Sequence, residues 1–171
     1  NNLNDNIPLF ASESLFNADE NQTAIGAVLA TDADGDNLTY SINGADINID
    51  SLSGLISFAS APDYETNTSF TATVTVTDGL TAVTQDITVN VNNLNDNSPV
   101  YSSSSIFNGD ENQTAIGSVT ATDADGDALT YSISGEDLSI TSDGVLSFVS
   151  APDYETNTSF TATVTVTDGL T

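Results

Sequence analysis

The sequence is written almost twice. Asn1-Asn-Leu-Asn-Asp-Asn6 recurs 91 residues later as Asn92-Asn-Leu-Asn-Asp-Asn97, and residues 60–81 are identical to residues 150–171. This period divides the 171 residues into two units, each of the size of a small domain. The fold must therefore be one that about 90 residues can complete and that can be joined end to end.

Strand patterns fill each unit. Residues 70–77 alternate strictly between apolar side chains and threonine, and residues 87–91 alternate in the same way. No segment has the 3.6-residue period of an amphipathic helix. Turn formers separate these strands from further predicted strands at 9–16, 24–31, 38–43, 46–50 and 55–58. About seven strands per unit predict an all-β chain of two tandem seven-stranded Greek-key β-sandwiches of cadherin/Ig-like type.

The repeat sets the expected domain boundaries. The first sandwich is predicted at 1–93, with a linker motif at 1–8, and the second at 94–171. The second contains no counterpart of residues 82–91, the predicted last strand of the first, so we expect it to expose a sheet edge and part of its core. Two interpretations stay open. Either the natural chain continues beyond Thr171, or a strand from another chain fills the gap. The chain also has no Met, including a starting one, so we expect it to be an internal piece of a longer polypeptide.

All charged side chains are acidic. The chain has 25 Asp and Glu residues, no Lys, Arg or His, and a formal charge of −25. Nucleic-acid binding is excluded because it requires cations that neutralise phosphates, and anionic membrane surfaces are disfavoured. No apolar run approaches the ~18 residues of a membrane-spanning helix, so no direct membrane insertion is expected. Without Cys or His, zinc and copper lack their preferred ligands, and the remaining oxygen ligands suit Ca²⁺ or Mg²⁺.

The acidic motifs lie at turns, and the turns of a β-sandwich gather at its two poles. The linker 93–97 is therefore expected between the bottom pole of the first unit and the top pole of the second. Unit charges ~4 Å apart repel by roughly 4 kcal/mol at an effective dielectric constant near 20. Ca²⁺ takes six to eight oxygens in a flexible geometry and could bridge both units. The carboxylates expected in this small volume are Glu20, Asp63, Glu65, Asp96, Asp123, Asp125, Asp127 and Asp168.

The order of these motifs resembles the cadherin repeat. That family carries a Glu near the first strand, a D-x-D, a D-R-E-type triplet, a late A-x-D and a D-x-N-D-N-x-P linker. Five motifs in this order, found twice, make the resemblance specific, and it covers nearly the whole chain. The matching residues are Glu20, Asp32, Asp34, Asp63, Glu65, Asp78 and the linker Asn93-Leu94-Asn95-Asp96-Asn97-Ser98-Pro99, then Glu111, Asp123, Asp125, Asp153, Glu155 and Asp168.

The resemblance implies about three calcium ions per junction. The outermost ion would bind Asp63, Glu65, Glu20 and Asp96. The middle ion would bind Glu20, Glu65, Asn93, the Leu94 carbonyl, Asp96 and Asp125. The third would bind Asn95, the Asn97 carbonyl, Asp123, Asp125 and Asp168. Asn93 stands where the family has Asp, so we expect the middle site to be weaker, and Tyr64 stands where it has Arg.

Two further ligand sets are predicted at the ends of the chain. The Asp-Ala-Asp-Gly-Asp turns suggest Asp36 and Asp127 as additional ligands, an expectation drawn from these residues and not from the family. The N-terminal half-site would contain Asn2, Asn4, Asp5, Asn6, Asp32, Asp34, Asp36 and Asp78. The C-terminal half-site would contain Glu111, Asp153 and Glu155.

The resemblance implies a calcium-dependent structural or adhesive extender module. The chain is similar to the repeats of large bacterial surface adhesins, in which Ca²⁺ at each linker stiffens an extracellular tandem array for cell adhesion, biofilm or filament formation. Its partners would be neighbouring repeats. The alternatives are a polysaccharide-binding module, although the chain has no Trp and five Tyr, or homophilic assembly by strand exchange with another copy. We expect no enzymatic activity, because no His, Lys or Arg accompanies the Asp63 and Glu65 carboxylates.

Overall fold

The computed structural model describes residues 3–170, in which every regular element is a β-strand. The chain divides into unit 1, Asn1–Leu94, and unit 2, Asn95–Thr171. The all-β tandem architecture expected from the repeat is confirmed. No helix in the described range is long and apolar enough to cross a membrane.

Unit 1 is built from two packed sheets and a short strand pair. One sheet has the order β2-β9-β8-β5, the other has the order β3-β7-β6, and β1 pairs with β4. Strand β2 runs parallel to β9, and the remaining pairs are antiparallel. The strands are β1 (Leu9–Phe10), β2 (Leu15–Asp19), β3 (Ala24–Ala27), β4 (Ala30–Thr31), β5 (Thr39–Asn43), β6 (Ile47–Ile49), β7 (Leu55–Phe58), β8 (Ser69–Thr77) and β9 (Ala82–Asn92).

Two of the seven expected strands are interrupted, which gives nine segments. The predicted strand 9–16 breaks into β1 and β2 because the chain changes partners, from β4 to β9. The predicted strand 24–31 breaks into β3 and β4 beside the break between β1 and β2. There the Leu29 carbonyl accepts the Ala11 N–H at 2.8 Å, and the Leu29 N–H donates to the Ser12 hydroxyl at 3.1 Å. These bonds satisfy the backbone where neither sheet does.

The core of unit 1 lies on one face of β8 and β9. Val74, Val76 and Val89 are completely buried and Ile87 is 1% exposed, as the strict alternation of these strands requires. Burying such side chains contributes about 1.5–3 kcal/mol each. Threonines occupy the other face, where the Thr73 hydroxyl donates to Asp86 at 2.7 Å.

One glycine is required by packing as well as by backbone conformation. Gly54 has φ +71°, and a Cβ at this position would collide with the Val28 carbonyl oxygen. Its counterpart Gly144 has φ +88° and faces the Val119 carbonyl in the same way. Both units therefore depend on a glycine in the turn before the strands β7 and β15.

Unit 2 repeats most of these pairings. Strands β11, β15 and β14 form one sheet in that order, β13 pairs with β16, and β10 pairs with β12. Within residues 95–170, the segment 106–110, the counterpart of β2, is not a strand, and β16 has five residues where β8 has nine. Both differences fall in segments whose counterparts in unit 1, β2 and β8, pair with β9. The strands are β10 (Val100–Tyr101), β11 (Ala115–Ser118), β12 (Ala121–Thr122), β13 (Thr130–Ser134), β14 (Leu138–Ile140), β15 (Val145–Phe148) and β16 (Thr163–Thr167).

Candidate metal centre

An acidic turn follows β4 in unit 1. One carboxylate oxygen of Asp32 accepts the N–H groups of Asp34 at 2.8 Å and of Asp36 at 3.3 Å. Gly35, with φ +78°, allows the chain to turn so tightly. Carboxylate oxygens of Asp32, Asp34 and Asp36 lie within 4.8 Å of one another. The turn therefore gathers three carboxylates that the sequence spaces two residues apart.

The linker motif is hydrogen-bonded onto this turn. Asp34 accepts the backbone N–H groups of Asp5 at 2.9 Å and Asn6 at 2.7 Å, and its other oxygen accepts the Asn6 side-chain amide at 2.7 Å. The bonds from Asn6, with the weaker ones from Asp5, lower the pKa of Asp34. Asn4 donates to the Asp78 carbonyl at 3.4 Å. We call Asn4, Asp32, Asp34, Asp36 and Asp78 the apical cluster of unit 1.

Three oxygens of this cluster are shielded from solvent without a hydrogen-bond donor. They are the Asn4 side-chain carbonyl oxygen and one oxygen each of Asp32 and Asp36. Desolvation raises the pKa of Asp36, and the neighbouring charges of Asp32, Asp34 and Asp78 raise it further. Buried acceptors of this kind are costly unless a donor or a cation meets them. The chain has no Lys, Arg or His that could do so.

Asp78 is fixed by the turn that follows β8. One of its oxygens accepts the N–H groups of Leu80 at 2.7 Å and Thr81 at 2.6 Å, and the other accepts the Thr81 hydroxyl at 2.7 Å. The Thr81 backbone bond is the main cause of the lowered pKa of Asp78. Sequence reasoning missed the role of Thr81, although the repeated Asp-Gly-Leu-Thr at 78–81 and 168–171 could have indicated it.

Unit 2 reproduces the arrangement with different residues. Asp125 accepts the backbone N–H groups of Asp96 at 3.1 Å and Asn97 at 2.8 Å, and Asn95 donates to the Asp168 carbonyl at 3.5 Å. The Asn95 side-chain oxygen and one oxygen of Asp123 are again shielded and without a donor. The apical cluster of unit 2 is Asn95, Asp123, Asp125, Asp127 and Asp168, and its three turn carboxylates lie within 4.8 Å of one another.

A second acidic region lies at the other end of unit 1. Glu20 is 2% exposed, and its two oxygens accept the N–H groups of Tyr64 and Leu94, each at 2.8 Å. A carboxylate oxygen of Glu65 lies within 4.8 Å of one of Glu20. Asp63 hydrogen-bonds within its own turn, to the Thr66 hydroxyl at 3.0 Å. Sequence reasoning assigned Leu94 only a carbonyl role and missed the N–H that holds Glu20.

The corresponding region of unit 2 is open. Glu111 is exposed, and it accepts the Tyr154 N–H at 3.3 Å. Oxygens of Glu111, Asp153 and Glu155 lie within 4.8 Å of one another, so the predicted C-terminal set is brought together. Asp153 also accepts the Thr156 hydroxyl at 2.9 Å, and this bond is the main cause of its lowered pKa.

The remaining predicted ligands take various positions. Asn2 lies outside the described residues. Asp5 and Asp96 are exposed, and each accepts the side-chain amide of the Asn that follows it, at 3.2 and 2.9 Å. The side-chain amides of Asn6 and Asn97 thus donate to carboxylates. Asn93 is exposed, and Leu94 is 39% exposed.

Comparison with known protein families places both units in one class. The sequence profile described as "Bacterial Ig domain" matches residues 4–92 and 95–171. Human protocadherin-24 EC1-2 superposes with a TM-score of 0.77 over 94% of this chain and 93% of that one, at 23% identity. Mouse cadherin-23 EC22-24 gives 0.74 over 98% and 61%, at 26% identity.

The sequence relatives include cadherin-related proteins and are much longer than this chain. The Drosophila melanogaster Fat-like cadherin-related tumor suppressor homolog is 30% identical across 76% of this chain and 3% of its own length. Mouse cadherin-related family member 2 is 38% identical across 45% and 6%. Chitinase A of Pseudoalteromonas piscicida is 33% identical across 82% and 17%. This chain therefore spans less than a fifth of each of these three relatives.

The profile covers nearly the whole chain in two consecutive matches, and the structural likeness is to cadherin repeats. The chain belongs to the bacterial Ig domain family, as a tandem of cadherin-like repeats.

Proposed function

We propose that the chain is a calcium-dependent extender module of an extracellular surface adhesin, in which Ca²⁺ bound at the linker stiffens a tandem array. One observation supports this most. Each apical cluster contains carboxylate and amide oxygens that are shielded from solvent and accept no hydrogen bond, in a chain without any cationic side chain. Ca²⁺ takes six to eight oxygen ligands of these kinds, including Asn side-chain and backbone carbonyls.

Each apical cluster would hold one ion within its own unit. In unit 1 the ligands would come from the cluster defined above, with the Asn6 carbonyl. In unit 2 they would come from the second cluster, with the Asn97 carbonyl. The ordered linker supports the assignment, because its N–H and side-chain amide bonds to Asp34 and Asp125 bring the Asn4 and Asn95 side chains to the turn.

Further ions would bind where the linker joins the two units, giving about three per junction. Glu20 holds the N–H of Leu94 in unit 1, and Asn95, the next residue, belongs to the apical cluster of unit 2. One peptide bond thus connects the two predicted ligand sets. The residues we assign to these ions are Glu20, Asp63, Glu65, Asn93, the Leu94 carbonyl, Asp96 and Asp125.

Calcium would act by replacing repulsion between carboxylates near the linker with coordination of a shared ion. Without the ion, the carboxylates near the linker repel one another. With the ion, residues of both units would bind the same ion, and the linker would lose its freedom to bend. Extracellular calcium modules have dissociation constants of about 10⁻⁴–10⁻³ M, so such a joint would respond to calcium outside the cell.

The test is small-angle scattering and thermal melting of the whole chain with Ca²⁺ and with a chelator. We expect Ca²⁺ to increase the maximum dimension and to raise the melting temperature. At a 100-fold excess over the dissociation constant, the free energy of unfolding should increase by about 2.7 kcal/mol. NaCl at matched ionic strength is the control for screening, which also relieves repulsion. If the dimension and the melting temperature respond equally to NaCl and to Ca²⁺, the proposal is wrong.

Two variants sharpen the experiment. Asp125→Asn removes a carboxylate oxygen from the apical cluster of unit 2, and Asp137→Asn removes the same charge from an exposed position outside both clusters. We expect Asp125→Asn to reproduce the effect of the chelator, and Asp137→Asn to behave like the unchanged chain.

The match to a chitinase fits the same role. A spacer repeat can be placed in an enzyme as well as in an adhesin, and this chain corresponds to 17% of that protein. We propose no catalytic function for the chain itself.

A further inference from the structure

Five Asn residues begin an N-x-Ser/Thr sequence, the acceptor sequence of N-linked glycosylation. All five are exposed in the structure, so exposure does not distinguish one from another. In a chain rich in Asn and Thr such sequences also arise by chance, and the groups around each Asn decide which of them can serve. The five residues are Asn21, Asn37, Asn67, Asn112 and Asn157.

At Asn67 the three residues of the acceptor sequence form a turn. The Asn67 side-chain oxygen accepts the Ser69 N–H at 3.4 Å, and the Asn67 N–H donates to the Asp63 carbonyl at 2.9 Å. The Asn67 amide nitrogen, which is the atom that receives the sugar, donates no hydrogen bond within residues 3–170. Ser69 is exposed at the start of β8. The turn therefore presents both the amide nitrogen and the hydroxyl of the acceptor sequence to solvent.

Unit 2 forms the same turn. The Asn157 side-chain oxygen accepts the Ser159 N–H at 3.3 Å, and the Asn157 N–H donates to the Asp153 carbonyl at 2.9 Å. Ser159 belongs to no strand, whereas Ser69 begins β8. The turn is thus set by its own residues, which are identical in the two units, and does not depend on strand pairing.

An exposed carboxylate precedes each of these turns. Glu65 lies two residues before Asn67, and Glu155 lies two residues before Asn157. Bacterial oligosaccharyltransferases, the enzymes that transfer the glycan, require an acidic residue at this position, which pairs with a basic side chain of the enzyme. Because the chain has no Lys, Arg or His, no cation of its own competes for these carboxylates.

The acid before Asn21 is engaged within the protein. Asp19 lies two residues before it and accepts the Asn92 side-chain amide at 2.9 Å. Asp110, the counterpart of Asp19 in unit 2, accepts the Gln113 side-chain amide at 2.8 Å. These two acceptor sequences therefore present a carboxylate that an enzyme would first have to release from its partner.

We propose that Asn67 and Asn157 are attachment sites for N-linked glycans, transferred by a bacterial oligosaccharyltransferase from a lipid diphosphate-linked oligosaccharide. The Asn amide nitrogen attacks C1 of the first sugar, and the bond between C1 and the diphosphate oxygen breaks. The lipid diphosphate leaves with the electron pair of that bond, and the amide nitrogen gives up one proton. No oxidation or reduction occurs, and the proposal is independent of calcium binding.

The test incubates the full chain with a purified bacterial oligosaccharyltransferase, its lipid-linked oligosaccharide and Mg²⁺, without added Ca²⁺. A protease that cleaves after Glu separates the two sites, because it yields the peptides 66–111 and 156–171. Mass spectrometry then gives the occupancy of each site. We expect occupancy at Asn67 and Asn157 to exceed that at Asn37 by about tenfold or more, since Asn37 is exposed but has Gly35 in place of the acid.

Two variants of unit 1 use Asn157 in the same molecule as an internal standard. Glu65→Gln removes the acid before Asn67, and Ser69→Thr keeps a hydroxyl in the acceptor sequence. We expect Glu65→Gln to lower the occupancy of Asn67 relative to Asn157 by about tenfold or more, and Ser69→Thr to retain it. Fragment spectra localise the glycan in the first variant, which loses a cleavage site.

Three results would overturn the proposal. One is the absence of glycan at both Asn67 and Asn157 when a synthetic peptide of residues 63–71 is modified under the same conditions. The second is equal occupancy at Asn37, and the third is an unchanged ratio of the two sites in Glu65→Gln.

Discussion

Asp36 differs from the neighbouring carboxylates Asp34 and Asp78 in the direction of its pKa shift. Asp34 and Asp78 receive backbone N–H groups that lower their pKa, whereas burial and the surrounding carboxylates raise the pKa of Asp36. A folded-state pKa above the ordinary value means that the contribution of this group to stability is lost as pH rises through that raised pKa. At neutral pH, the ionised Asp36 therefore opposes folding until a cation compensates for it.

Replacing Asp36 should consequently have opposite effects with and without calcium. We expect Asp36→Asn to raise the melting temperature of unit 1 in chelator at pH 7, and to reduce the increase produced by Ca²⁺. The exposed Asp46→Asn is the control for loss of charge, and it should leave the calcium response intact. A lower melting temperature of Asp36→Asn in chelator would contradict this account of the cluster.

Asp50 provides an acid-sensitive contact away from both clusters. The Ser53 hydroxyl donates to it at 2.7 Å, and the amides of Ser53 and Leu52 donate as well, so its pKa is lowered. A lowered pKa means that this stability is complete above the ordinary value of 3.8 and is lost as pH falls through the folded-state value. In unit 2, Thr141 occupies this position, and its hydroxyl accepts the Val145 N–H at 3.1 Å.

We therefore expect Asp50→Asn to lower the melting temperature of unit 1 at pH 6, with the difference from the unchanged chain shrinking as pH falls below about 3.8. Thermal melts across this range measure it. Thr141→Val tests the corresponding turn with a group that does not titrate, and its effect should be constant with pH. A pH-independent effect of Asp50→Asn would refute the assignment.

At the level of the strands, the alternation of apolar and polar residues predicted which side chains are buried more accurately than it predicted which strands pair. The pattern of residues 70–77 identified Val74 and Val76 as buried, because side chains of a strand alternate between faces whatever lies beside it. It did not predict the breaks at Ala11 and Leu29 or the parallel pairing of β2 with β9. Those depend on which neighbour each segment meets, and local sequence contains no such information.

Gly54 offers a test of packing against backbone strain. Gly54→Ala introduces a Cβ against the Val28 carbonyl oxygen, whereas Gly79→Ala, also at positive φ, introduces one into open space. We expect unit 1 to lose more than about 2 kcal/mol from Gly54→Ala and about 1 kcal/mol from Gly79→Ala. Chemical denaturation measures both. Equal losses would show that the backbone conformation alone requires the glycine.

Over the whole molecule, the two copies of the candidate site were predictable to different degrees. Repetition of the acidic turns predicted that the carboxylates of Asp32 and Asp34, and those of Asp123 and Asp125, lie close together, because those turns are local structures. The burial of Glu20 and the exposure of Glu111 were not predictable from two motifs that read alike. The difference arises from Leu94, which follows β9 and donates its N–H to Glu20.

This difference should be visible to a protease. The chain has no Lys or Arg, so trypsin should leave it uncut in any state. A protease that cleaves after Glu should, in chelator, cut after Glu111 well before Glu20, since the first is exposed and the second is 2% exposed. Mass spectrometry of early digestion products identifies the order. Cleavage at both residues at equal rates would mean that Glu20 is not protected in solution.

The hydrogen bond from Leu94 to Glu20 also gives a row of such repeats a direction. In unit 1 this bond comes from a residue just beyond the last strand, so this pole of the repeat is closed by the part of the chain that follows β9. Under tension or heat, disorder would therefore start at a repeat that nothing follows and spread toward the N-terminus. A filament of these domains would fray from one end, and its resistance to damage would depend on how that single end is closed.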